Sequence, residues 1–298
     1  MKIGVISDVH SNVLAFRACL EYMEREGCEE YLFLGDYISD TPYARETMDL
    51  LYEFTASHKC MLLRGNREEY MLNQRKARRE GLSDQIWRYN SASGSLLYTY
   101  ELLTDADLDF FDSLPICFKY EKEGLPAIRC CHGSPGNSRE LLQFGSDELK
   151  HWLGEISEDY LLCAHTHIPG RYDIEGKHYF NSGCVGIAFG DVGVAQCMIL
   201  RDKEDDGRVI WEPEFLKIPF DYKKVVSDIK TSGLLDKAPW FINSNIQVFL
   251  TGVDHSAEMV HLALELSQED KDGKEWPLTD DKFFAEAAAK LGIPDYRE

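Results

Sequence analysis

Five short apolar runs in this chain each end on side chains that can bind a metal. Ile3–Ile6 leads into Asp8 and His10, Tyr31–Leu34 into Asp36, Cys60–Leu63 into Asn66, Ala127–Cys131 into His132, and Tyr160–Ala164 into His165 and His167. Runs this short and this continuously apolar are strands covered on both faces, as in parallel sheets. The stretches between them are amphipathic. After the first run, Val13, Phe16, Leu20 and Met23 recur at helical spacing, with Ser11 or Asn12 able to cap the helix and Gly27 to end it. The cycle repeats with a helix from about Tyr43 to Ala56 and another beginning near Asn66. The chain is therefore expected to fold in α/β layers, where side chains beyond the carboxyl ends of strands converge although they are distant in sequence.

Between Arg67 and Leu114 the spacing turns helical and charged, which reads as a helical insertion above the sheet. It carries a basic cluster, Arg75–Arg79, expected to be a solvated helix face, and the aromatic residues Trp87, Tyr89, Tyr98 and Tyr100, expected to be core. Strand-like runs return at Ile116–Tyr120, Val194–Leu200 and Val209–Ile218. Past Pro219 the candidates are helices, at Tyr222–Ile229, Ala257–Leu266 and Lys282–Leu291. This divides the chain into a main domain at 1–218, with its insertion at about 67–114, and a helical extension at 219–298.

The seven strand-end ligands are too many for one catalytic ion with an open position, but they divide between two ions bridged by a carboxylate. Carboxylate, imidazole and amide oxygen together suit a borderline divalent ion, Mn, Fe or Zn, better than Ca or Mg alone. His58, His151, His178, His255 and His261 lack this context and read as surface or packing residues. The nine cysteines make no C-x-x-C pair and sit mostly in apolar runs, so they are expected to be reduced, buried thiols.

In order, the chain shows Asp8-Val9-His10, Gly35-Asp36, Gly65-Asn66-Arg67-Glu68, His132-Gly133 and Ala164-His165-Thr166-His167. These blocks resemble those of the calcineurin-like metallophosphoesterase superfamily: D-x-H, G-D, G-N-H-[ED], H-G and G-H-x-H. The stretch Asn181-Ser182-Gly183-Cys184-Val185-Gly186 is similar to the N-P-G-S-V-G of its small bacterial and archaeal phosphodiesterase branch, with members described as diadenosine tetraphosphate hydrolases. The resemblance covers roughly residues 1–200. It implies a four-layer α/β sandwich of two mixed sheets flanked by helices, here with the insertion and the extension added. It also implies one ion on Asp8, His10, Asp36 and His167 and a second on Asp36, Asn66, His132 and His165, with Asp36 as the bridge and Mn the favoured metal.

A hydroxide bridging the two ions would then attack phosphorus. Asn66, His132 and Arg67 are the expected catalytic residues; Asn12, Arg64 and Arg67 the expected substrate contacts; Glu68 is expected to orient a ligand. The family His of the third block is Arg67 here, and a guanidinium gives up no useful proton. That favours a phosphoanhydride or activated diester, with diadenosine tetraphosphate the first choice. Hydrolysis of cyclic nucleotides or other small diesters is the alternative, and a non-catalytic scaffold of the same fold is the rival of another class.

With 32 Lys and Arg against 52 Asp and Glu, the net charge is −20. That argues against a general nucleic-acid or anionic-membrane binder and leaves a small-molecule phosphate, a nucleotide by preference, as the expected partner. No apolar run approaches the roughly 18–20 residues that cross a bilayer, and the first residues lack the pattern of a secretory signal, so a cytoplasmic location is expected.

Overall fold

The computed structural model describes residues 1–297. In chain order its elements are β1 (Lys2–Ile6), α1 (Val13–Arg25), β2 (Glu30–Phe33), α2 (Ala44–Ser57), β3 (Cys60–Leu62), α3 (Asn66–Glu80), α4 (Gly94–Leu102) and α5 (Asp105–Ser113). They continue with β4 (Cys117–Tyr120), β5 (Ile128–Cys131), α6 (Asp147–Glu155), β6 (Tyr160–Cys163), β7 (Gly170–Ile174), β8 (Lys177–Asn181), β9 (Val194–Asp205) and β10 (Arg208–Pro219). Five helices follow: α7 (Tyr222–Thr231), α8 (Leu234–Lys237), α9 (Pro239–Thr251), α10 (Ser256–Glu269) and α11 (Asp281–Leu291).

Two five-stranded mixed sheets result, in the orders β10-β9-β1-β2-β3 and β4-β5-β6-β8-β7. In the first, β1, β2 and β3 run parallel, and in the second, β5, β6 and β8 do. This is the expected four-layer sandwich. Strand alternation builds it: Ile3 and Val5 of β1 face the other sheet with Leu32, Leu162, Phe180 and Trp211, while Ile6 faces Phe16, Leu20 and Met23 of α1. On the far side, Leu149 and Leu153 of α6 cover Leu161 and Cys163 of β6. All nine cysteines are free thiols.

The insertion continues the helical layer over the first sheet, burying Met71, Leu96, Leu97 and Phe111 in the same core as α1 and α2. Trp87 lies in that core with Tyr100 packed against it. Arg75 pairs with Asp109 and Asp112 and Arg78 lies over the Tyr100 ring, while Lys76 and Arg79 of the same cluster are exposed. The carboxyl-terminal helices dock onto the insertion. Asn90 and Ser93 donate to the Pro277 carbonyl, the Ser91 N–H to Asp281, and the Trp276 indole to the Ala92 carbonyl.

Asp107 ties α5 to α2. Its buried carboxylate accepts the Thr104 N–H and hydroxyl at 2.7 Å each, Tyr52 Oη at 2.7 Å and Arg45 Nη1 at 2.6 Å. Burial would raise its pKa, but Arg45, Thr104 and Tyr52 hold it below the ordinary carboxylate value. A lowered folded pKa means that the contribution is complete at neutral pH and is lost as pH falls through the folded value. Asp107→Ala is expected to cost about 3 kcal/mol in urea unfolding at pH 7, and less at pH 3.

Candidate metal centre

The ends of β1, β2, β5 and β6 and the start of α3 meet at one edge between the two sheets. The chain turns there by an uncommon device. Asp8, His10, Asp36, His165 and His167 all have left-handed backbone, with φ between +48° and +66°. Such conformations cost a non-glycine residue on the order of 1–3 kcal/mol each, and they cluster where function needs them. Gly65 permits a close approach, since a Cβ there would lie 2.2 Å from Asp36 Oδ1. Likewise a Cβ on Gly186 would lie 2.1 Å from the Val9 carbonyl, and the Gly186 N–H donates to the Asp8 carbonyl.

The seven expected ligands are all brought together. Asp8, His10 and Asp36 form one group of converging donor atoms, and Asp36, His132 and His165 form another, with Asp36 common to both. His167 Nε2 lies 3.1 Å from His10 Nε2 and 3.3 Å from Asp8 Oδ1, placing it with the first group. Asn66 Oδ1 lies 3.0 Å from His132 Nε2, placing it with the second.

The other nitrogens of three imidazoles are held by the protein. His132 Nδ1 faces the Leu34 carbonyl at 2.7 Å, His165 Nε2 the Arg139 carbonyl at 3.2 Å, and His10 Nδ1 the Asp40 carboxylate at 3.2 Å. Each acceptor fixes the tautomer and turns the remaining lone pair onto the cluster, as in metal sites.

These donors fit divalent ions. Asp8 Oδ1 is buried without a hydrogen-bond donor among the described residues, although His10, His132 and His167 offer Nε2 atoms within 3.9 Å. Inward lone pairs and carboxylate oxygens at such distances repel unless a cation sits between them. Burial would raise the pKa of Asp8, but the imidazoles of His167, His132 and His10 hold it well below the carboxylate range. Burial would lower that of His132, but Asp36 raises it to about 9. His165 is instead pushed down to about 4, by burial and by His132. A cation taking His132 Nε2 would displace its proton, so metal uptake and proton release are coupled here.

Three expectations need correction. Asn12 is fully buried, its Oδ1 caps α1 at the Ala15 N–H, and its Nδ2 donates to the Gly186 carbonyl at 2.7 Å, so it is not exposed to a substrate. Arg64 turns away from the cluster to the end of α5, where Nη1 donates to the carbonyls of Asp112 and Leu114. Glu68 receives no imidazole. Its carboxylate accepts the N–H groups of Gly65, Asp36 and Tyr37 at 2.7, 2.9 and 2.8 Å, capping α3 and clamping the Asp36 turn. Arg67 does reach the cluster, with Nη2 2.9 Å from Asp40 Oδ2 and Nε 3.9 Å from Asp36 Oδ2.

Two residues of the site were not anticipated. Asp40 joins His10, Arg67 and Ser95, and Cys184 lies within the donor group of His10 and His167. Only the stretch Asn181–Gly186 signalled the second. The five histidines outside the motifs stay outside the cluster, as His58, stacked on Phe54, and His178, hydrogen-bonded to Asp173, illustrate.

Comparison with known proteins agrees with this geometry. The family described as Calcineurin-like phosphoesterase matches residues 1–169. An uncharacterized protein of Methanocaldococcus jannaschii is 24% identical over 249 residues, spanning 78% of this chain and 93% of its own. Among solved structures, a hypothetical protein of Pyrococcus horikoshii OT3 superposes with a TM-score of 0.69 at 18% identity, covering 85% of this chain and 99% of its own. A metallophosphoesterase of Sphaerobacter thermophilus does so with 0.62 at 18% identity, covering 85% and 100%.

Proposed function

Because the chain belongs to the calcineurin-like phosphoesterase family, we propose that it hydrolyses a small phosphoanhydride or activated phosphodiester, with diadenosine tetraphosphate the first choice of substrate. The family implies divalent metal ions. Asp8, His10, Asp36 and His167 would hold one ion, and Asp36, Asn66, His132 and His165 the other, with manganese preferred. Bound there, the ions would lower the pKa of a shared water and offset charge on the phosphoryl oxygens.

The observation that carries the reading is Arg67, the cation the protein itself places against the cluster. It stays charged at any working pH, so it stabilises a departing oxyanion without protonating it. Four of the titratable groups around it are not placed to act as a general acid. His10, His132 and His165 each have one nitrogen held by the protein and the other turned inward. Glu68 is enclosed by three backbone donors. Leaving groups that depart as stable anions are therefore favoured, which describes a nucleotide anhydride and not an alkyl phosphate.

The test is a substrate panel under added Mn(II). The dinucleotide polyphosphate should exceed an alkyl phosphomonoester by at least ~10²-fold in kcat/KM, the usual worth of a general acid. Arg67→Ala should lower the anhydride rate by ~10²-fold, and Arg67→His should narrow the preference. Faster turnover of the alkyl ester would sink the reading, and a chain that takes up no divalent metal would be a scaffold.

A further inference from the structure

Beside Arg67, the insertion and the carboxyl-terminal helices line a half-open cavity of about 420 Å³, within the ~300–1,000 Å³ usual for small-molecule sites. Tyr70 comes from α3, Leu96 from α4, Phe241 from α9, Val260 and Leu264 from α10, and Trp276 from the turn before α11. Three of these six present aromatic rings. The cavity adjoins the cluster through Arg67, which lines it while also contacting Asp40 and Asp36. Ser95 on its wall donates to Asp40 Oδ1 at 3.1 Å. Arg67 Nε is buried there and bonds to nothing among the described residues.

The charge of the lining departs from that of the chain. With 52 Asp and Glu in 298 residues, none of the described residues lining this cavity is acidic. An anion entering it meets the Arg67 guanidinium and no carboxylate in the lining itself.

We propose that this cavity is the subsite for a flat, ring-bearing arm of the substrate, so that the cap selects nucleoside or aryl phosphates. The proposal rests on the phosphoesterase reading above and names the substrate class of that same site. Apolar walls reward removal of a base or aryl group from water, and Phe241, Trp276 and the side of Tyr70 not covered by Arg139 are the aromatic surfaces it would meet. A short acyl chain would use the aliphatic wall and leave those faces unused. A cationic headgroup would be repelled by Arg67. The phosphate of a ring-bearing ligand reaches Arg67 and the cluster together.

The measurement is calorimetric titration of the Mn(II)-loaded protein with adenosine 5′-monophosphate, octyl phosphate and methyl phosphate, with hydrolysis of bis(4-nitrophenyl) phosphate followed separately. Adenosine 5′-monophosphate should bind at least ~10-fold tighter than methyl phosphate and tighter than octyl phosphate. Val260→Trp fills the cavity and should erase that advantage while leaving methyl phosphate binding unchanged. Ala257→Leu, a smaller filling change, guards against misfolding and should reduce the advantage in the same sense. Equal affinities in the unaltered protein, tighter binding of octyl phosphate, or an advantage that survives filling would each overturn the subsite, even with hydrolysis intact. Loss of the advantage on filling in a protein that hydrolyses nothing would keep the subsite and overturn the phosphoesterase reading.

Discussion

Asp36→Asn is expected to lower kcat/KM by at least ~10³-fold, about 4 kcal/mol of transition-state stabilisation. The carboxylate belongs to both groups of converging donors, so one substitution weakens both proposed ion sites. Asparagine keeps the shape, and its amide oxygen can still accept the Arg67 N–H that Oδ1 takes at 2.8 Å. Folding should therefore survive, and metal content should fall below two ions per chain. Proton release supplies a readout independent of activity. His132 is raised to about 9 chiefly because Asp36 faces it against the pull of burial. Below that value the imidazole binds a proton that metal uptake must expel, so His132 should add to the release at pH 7.5, beside His167, which is also raised. Without the Asp36 charge the pKa of His132 falls, and the release should drop. Calorimetry in buffers of different ionisation heats measures it. Full activity with two ions bound would refute the role of Asp36.

The converging donors were legible because their rule is short-range: a polar residue one to four positions past an apolar strand lies at the sheet edge, whatever the loop does next. Direction is not legible by the same rule. Arg64 sits one residue from the third block, yet it follows Leu63, buried between the sheets, and its side chain leaves on the other side toward α5. Asn12 looked like a substrate contact because it adjoins the first block, but the start of α1 claims its oxygen. Asp40 escaped notice because it reaches His10 through a turn of left-handed residues, Ser39 and Asp40 among them, that no apolar periodicity marks.

Two elements were hidden for opposite reasons. Helix α9 is buried on nearly every side, Asn243, Ser244 and Asn245 included, so it has no amphipathic stripe. The β7–β8 hairpin lies at a sheet edge, where alternating exposure keeps Arg171 and Asp173 in a strand that reads as loop, and its Glu175-Gly176 turn is not one of the strong turn pairs. The cap cavity needs both the insertion and the distant tail, so nothing in either segment alone announces it.

Glu68→Gln is expected to cost about 3 kcal/mol of unfolding free energy and, separately, to weaken metal binding by ~10–100-fold, the usual effect of losing a partner behind the ligands. The carboxylate is buried, and burial with the nearby Asp36 charge pushes its pKa up to about 7 against the pull of its backbone donors. A group held at that electrostatic cost contributes something an amide cannot. Three N–H groups point at it, and glutamine presents an oxygen to some of them and an NH₂ to the rest, leaving at least one buried donor facing another. Two of those N–H groups belong to Asp36 and Tyr37, which turn the chain through the left-handed conformation at Asp36. Releasing them lets that residue relax toward the ordinary region and carries its carboxylate off the shared position. The exposed Glu80 at the other end of α3 is the control, since Glu80→Gln should leave stability within about 0.5 kcal/mol and metal affinity unchanged. A Glu68→Gln protein that loses stability but binds metal as before would make the residue a helix cap alone; one that loses both would show that Glu68 holds the bridging ligand through its backbone.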